Sequence, residues 1–206
     1  MAVALRCNNG TFVEFGARDG IQHSNTLLLE RQLGWRGVLV EADENEYRSL
    51  QQNRPGAFCY HGAVCPRGMS EMTLALSSLG GWTGMNASYE PQRRETIQKV
   101  TAVPCYQLDQ LLRRQGMHRV DYMTIDTEGS ELALINDFPW DQFDVRVVQV
   151  EQLDEHKFPA QAGREANITA RLARYGYRLH TRFVVAQGDT YDLIYVQERP
   201  GRLWVR

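Results

Sequence analysis

Two short apolar segments, residues 11–16 (TFVEFG) and 37–41 (GVLVE), stand on either side of an apolar-rich helical stretch at 25–33. That spacing narrows the possible folds more than any other feature of the chain. Segments apolar throughout are buried on both faces of a sheet. A helix between two of them carries the chain back to the same end, so the strands run parallel through a right-handed crossover. Ser24 is placed to cap the helix and Gly34 to close it.

The same alternation continues along the chain. Asp43 opens a second helix, with Glu46 completing a capping-box pair, and Pro55-Gly56 ends it. Residues 57–64 read as a third strand, and 72–76 and 100–105 as further strands. Residues 77–89 (SSLGGWTGMNASY) are rich in Gly and Ser and predict a loop. Leu108, Leu111 and Leu112 give one apolar face to a helix at 107–114. Strands at 122–126 and 144–151 enclose a helix that begins near Ser130. A helix at 166–175 then leads to strands at 177–185 and 191–197, joined by a turn at Gly188-Asp189. This order predicts an α/β fold with helices on both faces of a mostly parallel sheet and an antiparallel hairpin closing one edge.

Length and charge set limits on function. The 206 residues suit one domain, taken as 1–206. A net charge of -2 provides no general basic face for nucleic acid, and none is expected as a partner. No apolar run reaches the ~20 residues that span a bilayer, so membrane insertion is not expected. Cys7, Cys59, Cys65 and Cys105 form no CxxC pair, which argues against a zinc ribbon or redox motif. They read as buried or idle thiols in a reducing cytoplasm.

Open α/β sheets bind ligands beyond the carboxyl ends of their strands. The first strand ends in Glu14-Phe15-Gly16-Ala17-Arg18-Asp19-Gly20. Gly16 and Gly20 permit a tight exit and close approach of a ligand to the backbone. The helix start at Ser24 and Asn25 offers unpaired N–H groups to a carboxylate. Glu41 ends the second strand about 25 residues beyond Gly16, where an acid takes the ribose hydroxyls of a nucleoside cofactor. Ala42, Ala63 and Val64 are small or apolar and leave room for an adenine. The segment is not GxGxxG. Its acids suit a cofactor carrying an ammonium and a sulfonium better than one carrying phosphates.

With those residues in view, the sequence resembles the FkbM-type methyltransferases, a branch of the class I methyltransferase fold. The likeness rests on FVEFGARDGIQHSNTLLLERQLGWRGVLVEAD, HGAV and VDYMTIDTEGSELALINDF, and extends from about Phe12 to Val196. It implies a Rossmann-like seven-stranded sheet, S-adenosylmethionine as cofactor, and O-methylation of a sugar or natural-product hydroxyl. It also implies that Glu14, Gly16, Ala17 and Asp19 lie along the methionine part, Ser24 or Asn25 near its carboxylate, and Glu41 at the ribose. The first strand comes almost at once, without the N-terminal helices that often cap such sites, so neighbouring domains in a longer protein are expected.

Methyl transfer to an alcohol needs a group to take its proton, a metal, or both. Asp126, Glu128 and Glu151 fall at the ligand-facing ends of adjacent strands. Clustered carboxylates have two readings: they raise one another's pKa and yield a general base, or they hold a hard divalent cation. The arrangement is similar to metal-dependent sugar O-methyltransferases. That likeness makes Asp126 and Glu151 ligands for Mg2+ or Mn2+, with Asp126 also beside the cofactor, and Glu128 the base. His156 follows in the next loop as a secondary catalytic residue. Trp82, Tyr89, Arg93 and Arg94 supply aromatic faces and guanidinium forks suited to a sugar, and the loop at 152–164 is the other candidate substrate wall. Two alternatives stand beside this reading: a methyltransferase of protein or nucleic acid, and a cofactor-binding module without catalysis.

Overall fold

The computed structural model describes residues 8–77, 83–85, 97–127, 129–159, 162–184 and 190–198. Strands β1 (Thr11–Phe15) and β2 (Arg36–Glu41) flank helix α1 (Leu27–Leu33). Helix α2 (Glu44–Asn53), strands β3 (Phe58–His61), β4 (Ala63–Val64), β5 (Glu71–Ser77), β6 (Thr83–Met85) and β7 (Ile97–Tyr106), and helix α3 (Leu108–Arg114) follow. The second half holds β8 (Arg119–Ile125), α4 (Glu131–Asp137), β9 (Asp144–Leu153), α5 (Arg164–Ala173), β10 (Tyr177–Val184) and β11 (Thr190–Gln197).

Seven of these strands form one sheet in the order β10-β11-β9-β8-β1-β2-β3. The pairs from β9 through β3 are parallel, whereas β11 pairs antiparallel with both β9 and β10. Alternation along each strand sorts the core into two layers. Val13, Phe15, Val38, Met123 and Val148 pack with residues of α3, α4 and α5 on one face. Phe12, Leu39, Tyr122 and Val147 pack with Leu29 of α1 and Leu50 of α2 on the other. The fold is therefore the Rossmann-like, mostly parallel α/β architecture that the strand–helix alternation predicts.

Two local differences have physical causes. The strand predicted at 57–64 is broken at Gly62, with φ +146, where a Cβ would come within 2.4 Å of the Pro104 carbonyl oxygen. Beyond that break the chain leaves the main sheet, and β4 joins a second sheet of order β4-β7-β5-β6. Strand β6 lies inside the segment predicted to be a loop. The first helix also starts later than predicted, because the residues before it serve another group. Glu14, buried on the α1–α2 face, accepts from Ser24 Oγ at 3.0 Å, from Asn25 N at 2.8 Å and from Thr26 Oγ1.

Arg54, the C-cap of α2, is wholly buried above this knot. Its guanidinium reaches Glu30 at 2.9 Å, the Gly20 carbonyl at 3.1 Å, Ser24 Oγ at 3.0 Å and Thr26 Oγ1 at 3.1 Å. A buried charge is tolerated only when paired and fully hydrogen-bonded. Gly20 belongs to the same packing, since a Cβ there would lie 2.6 Å from Arg54 Cγ.

Cys65 and Cys105 form a disulfide across the small sheet, and the free thiol Cys59 has its pKa pushed up to about 11 by burial. The idle-thiol expectation is therefore corrected for Cys65 and Cys105, and it no longer supports a reducing compartment. Cys7 lies outside the described residues. Closing a loop of 40 residues removes roughly 4 kcal/mol of unfolded-chain freedom. No helix among the described residues is long and apolar enough to cross a membrane.

Replacing Arg54 by Met leaves Glu14 and Glu30 without their shared cation. Urea unfolding of Arg54→Met is expected to show a loss of about 3–5 kcal/mol. A loss below about 1 kcal/mol would mean that the buried guanidinium is not what holds the loop to α2.

Candidate functional site

The ends of the parallel strands meet at one rim. Chain order reverses between β1 and β8, with β2 and β3 on one side and β9 on the other. That reversal is the switch point where open sheets leave a crevice. An open cleft lies there, lined on one side by Gly16, Arg18, Glu41 and Glu46 and closed on the other by Asp126, Thr127 and Ser130. Gly16 has φ +67, and a Cβ on it would lie 2.7 Å from the Asp126 carbonyl oxygen. The two strand ends are that close, so no larger residue fits.

Glu41 is buried at the cleft edge. One carboxylate oxygen accepts from Arg18 N at 2.7 Å and the other from Asp43 N at 2.7 Å. Burial pushes its pKa up, against those backbone bonds. Arg18 takes a left-handed φ of 50 to pass over Glu41, and its buried Nε lacks a hydrogen-bond partner. Ala42, Ala63 and Val64 line the cleft as a group, joined by Met72 and Leu74, which the sequence analysis did not single out. The predicted loop residues divide differently. Asp19 turns back to accept from Ile21 N at 2.8 Å and Gln22 N at 2.7 Å, and shapes the loop. Ala17 is buried in the α1–α2 core layer. Glu14, Ser24 and Asn25 bond to one another beneath the rim and do not line the cleft. Burial raises the Glu14 pKa, opposed by Thr26, Asn25, Ser24 and Arg54.

On the β8 side, Glu131 holds the loop after Asp126. It accepts from Thr127 N at 3.0 Å, Thr127 Oγ1 at 3.1 Å and Gly129 N at 2.8 Å, and pairs with Arg164 at 2.7 Å. Glu128, within that loop, lies outside the described residues, as do Trp82, Tyr89, Arg93 and Arg94. His156 is exposed in a turn, its backbone N–H on Asp154, and does not line the cleft. Among the described residues no three His, Cys, Asp or Glu side chains converge as a metal site.

Glu151 has a neighbour that sequence reasoning missed. Asp192 of β11 is its register partner across the antiparallel ladder. Burial, and next the Glu151 charge, push the Asp192 carboxyl up to about 6, while a hydrogen bond from Gln149 works the other way. Gln149 also donates to Asn25 Oδ1 at 3.1 Å and receives the Tyr122 hydroxyl. An aspartate inside the apolar run YDLIYV was the available signal. The rim thus runs Glu41, Gly16, Asp126, Glu151, Asp192 across adjacent strands, about 19 Å at the usual strand spacing.

The family model for the methyltransferase FkbM domain matches residues 14–179, more than half of the chain. No curated protein matches it. Among solved structures, the METTL16 MTase domain is similar at a TM-score of 0.55 and 11% identity, over 93% of this chain and 61% of that one. The human methyltransferase 10 domain containing protein is similar at 0.53 and 11%, over 94% and 74%. An O-methyltransferase from Bacillus cereus in complex with SAH is similar at 0.51 and 14%, over 91% and 74%. At these identities the structural likeness bears on the fold alone.

Carbon-13 NMR of labelled aspartate is expected to show Asp192 titrating at about 6, and falling towards its ordinary value in Glu151→Gln. A raised folded-state pKa means that the neutral carboxyl's stabilising contribution is full below about pH 4 and is lost as pH rises through about 6. Asp192→Asn should therefore be more stabilising near pH 8 than near pH 4. An Asp192 titration that ignores Glu151→Gln would remove the pairing.

Proposed function

The chain belongs to the FkbM methyltransferase domain family, and from that premise we propose that it transfers the methyl group of S-adenosylmethionine to a hydroxyl of a sugar or small natural product. Residues 1–206 act as one methyltransferase domain in this proposal. The observation that carries it is the cleft at the switch point, with a carboxylate at one end, an apolar wall beside it and further carboxylates beyond.

The residues present fit the cofactor. Backbone N–H groups hold both Glu41 oxygens, and the acceptor capacity left over serves ribose hydroxyls. Ala63, Val64, Met72 and Leu74 offer a flat apolar bed for adenine. The unpartnered Arg18 Nε is a donor left for the ligand. Glu14 acts indirectly, holding Ser24 and Asn25 so that the loop from Gly16 to Gly20 keeps its shape. Bound there, the cofactor supplies an electrophilic methyl on a cationic sulfur.

The acceptor belongs on the β8–β9–β11 side. Asp126 and Glu151 accept hydrogen bonds from its hydroxyls and orient the attacking oxygen; they are also the two residues that would hold a Mg2+ or Mn2+, which would supply Lewis-acid polarisation. Glu128 takes the hydroxyl proton as the oxygen attacks, a role assigned on its place in IDTEGSE. The loop from 152 is the substrate wall, fixed where Glu155 accepts from Gly163 N at 2.9 Å and Glu165 N at 2.8 Å.

Calorimetric titration of S-adenosylmethionine, with and without magnesium, tests the cofactor site, and a panel of deoxysugar glycosides tests the acceptor. Glu41→Gln removes a charge-assisted acceptor worth about 1.5–3 kcal/mol, so affinity should fall roughly ten- to a hundredfold. Unchanged affinity in a folded variant would release Glu41 from this role. A folded wild-type protein that binds no S-adenosylmethionine overturns the proposal.

A further inference from the structure

We infer that the Cys65–Cys105 disulfide is a positioning element of the cofactor cleft, so that cofactor affinity depends on the oxidised state of this pair. The inference rests on the cofactor reading above.

The wall facing Glu41 does not belong to the main sheet. Ala63 and Val64 are the whole of β4, and Met72 and Leu74 lie on β5. Cys65, Met72, Leu74 and Val103 form an apolar cluster of their own, apart from the two layers that flank the seven-stranded sheet. Val64 alone of the wall packs into the main core layer, and Ala63, Met72 and Leu74 are placed by more local links. The ladder between β4 and β7 holds only two register pairs, Ala63 with Cys105 and Val64 with Tyr106. Cys65 N donates to the Tyr106 carbonyl at 2.9 Å, Cys105 N to the Ser70 carbonyl at 2.9 Å, and Gly62 N to the Glu41 carbonyl at 2.9 Å. So short a pairing is marginal without reinforcement. The disulfide supplies it where Cys65 leaves the cleft-lining residues, and it closes the segment that contains β5, β6 and β7.

Reduction by a dithiol breaks the S–S bond. Two electrons and two protons pass to the cysteines, which become thiols, and the dithiol becomes its own disulfide. The wall then keeps the two-pair β4–β7 ladder, its backbone bonds, the longer β5–β7 ladder and the burial of Val64, but β4 loses its covalent tie to β7, and adenine loses a firmly fixed bed. Affinity is expected to fall at least tenfold. Linkage makes the effect reciprocal: saturating cofactor must make the pair harder to reduce by the same factor. A tenfold coupling corresponds to about 30 mV for this two-electron couple.

The experiment is a redox titration of the full chain in dithiol buffers, with and without saturating S-adenosylhomocysteine, with thiols trapped and counted by mass spectrometry. Alongside it, S-adenosylhomocysteine is titrated into the oxidised wild type and the Cys65→Ala/Cys105→Ala variant, with circular dichroism and urea unfolding to establish that the variant is folded. A midpoint about 30 mV or more lower with cofactor, and at least tenfold weaker binding by a folded variant, support the inference. A midpoint that the cofactor does not move, or a folded variant that binds as tightly as wild type, overturns it. If the variant does not fold, amide exchange on reduced wild type decides. Protection lost from β4 and β7 alone supports a wall held by the disulfide, and protection lost across the seven-stranded sheet overturns it. Oxidised wild type that binds no cofactor is a different result: it rejects the cofactor reading itself.

Discussion

A wholly buried guanidinium, Arg54, sits between two helices and the loop that leaves the first strand. An arginine taken out of water costs several kcal/mol unless its donors are met. Here they are met by Glu30, a main-chain carbonyl and two hydroxyls, and those hydroxyls bond in turn to Glu14. The geometry of the loop follows. Ser24, Asn25 and Thr26 are drawn down onto Glu14, α1 starts only at Leu27, and Gly20 must be glycine to pass Arg54. With the lower half of the loop fixed this way, its upper half passes over Glu41, and Arg18 N meets that carboxylate. The cleft inherits its shape from a polar knot that does not face it.

This explains why the acids around the first two strands, alike in sequence, have different work. Glu14 and Glu41 both lie at or near strand ends among apolar residues, and both are buried. Alternation along β1 turns Glu14 towards α2, where three donors and Arg54 occupy it. Glu41 ends β2 at the rim, where backbone N–H groups rather than side chains hold it and acceptor capacity remains. Asp19 has turned inward to shape its own turn. One charge per role was not legible from the motif, because the roles depend on what each carboxylate meets across the fold.

The main sheet was legible because its signals are local: apolar runs of strand length, Gly34 in a left-handed cap, and Asp43 accepting from Asn45 and Glu46. Strands at 72–76 and 100–105 were legible too, as β5 and β7, but the separate small sheet that gathers them was not. It depends on Gly62 turning the chain out of β3 and on a β4 of two residues, too short for any periodicity. Its disulfide links cysteines 40 residues apart, a pairing that spacing cannot reveal. Asp192 was missed for a similar reason. Its partner Glu151 lies on another strand, and only the antiparallel insertion of β11 beside β9 brings the two side by side.

That insertion also gives the rim its polarity. A purely parallel sheet presents only strand ends along its carboxyl edge. Because β11 runs the other way, its beginning stands beside the end of β9, and Asp192 joins Asp126 and Glu151. Burial first, and the Glu151 charge beside it next, push the Asp192 carboxyl up. On the far side of the switch point Glu41 stands with apolar neighbours instead. The two halves of the rim therefore differ in kind. One sets Glu41 and Glu46 beside an apolar wall. The other gathers carboxylates on three adjacent strands. The halves meet at Gly16 and Asp126, where only a glycine lets the two strand ends come so close.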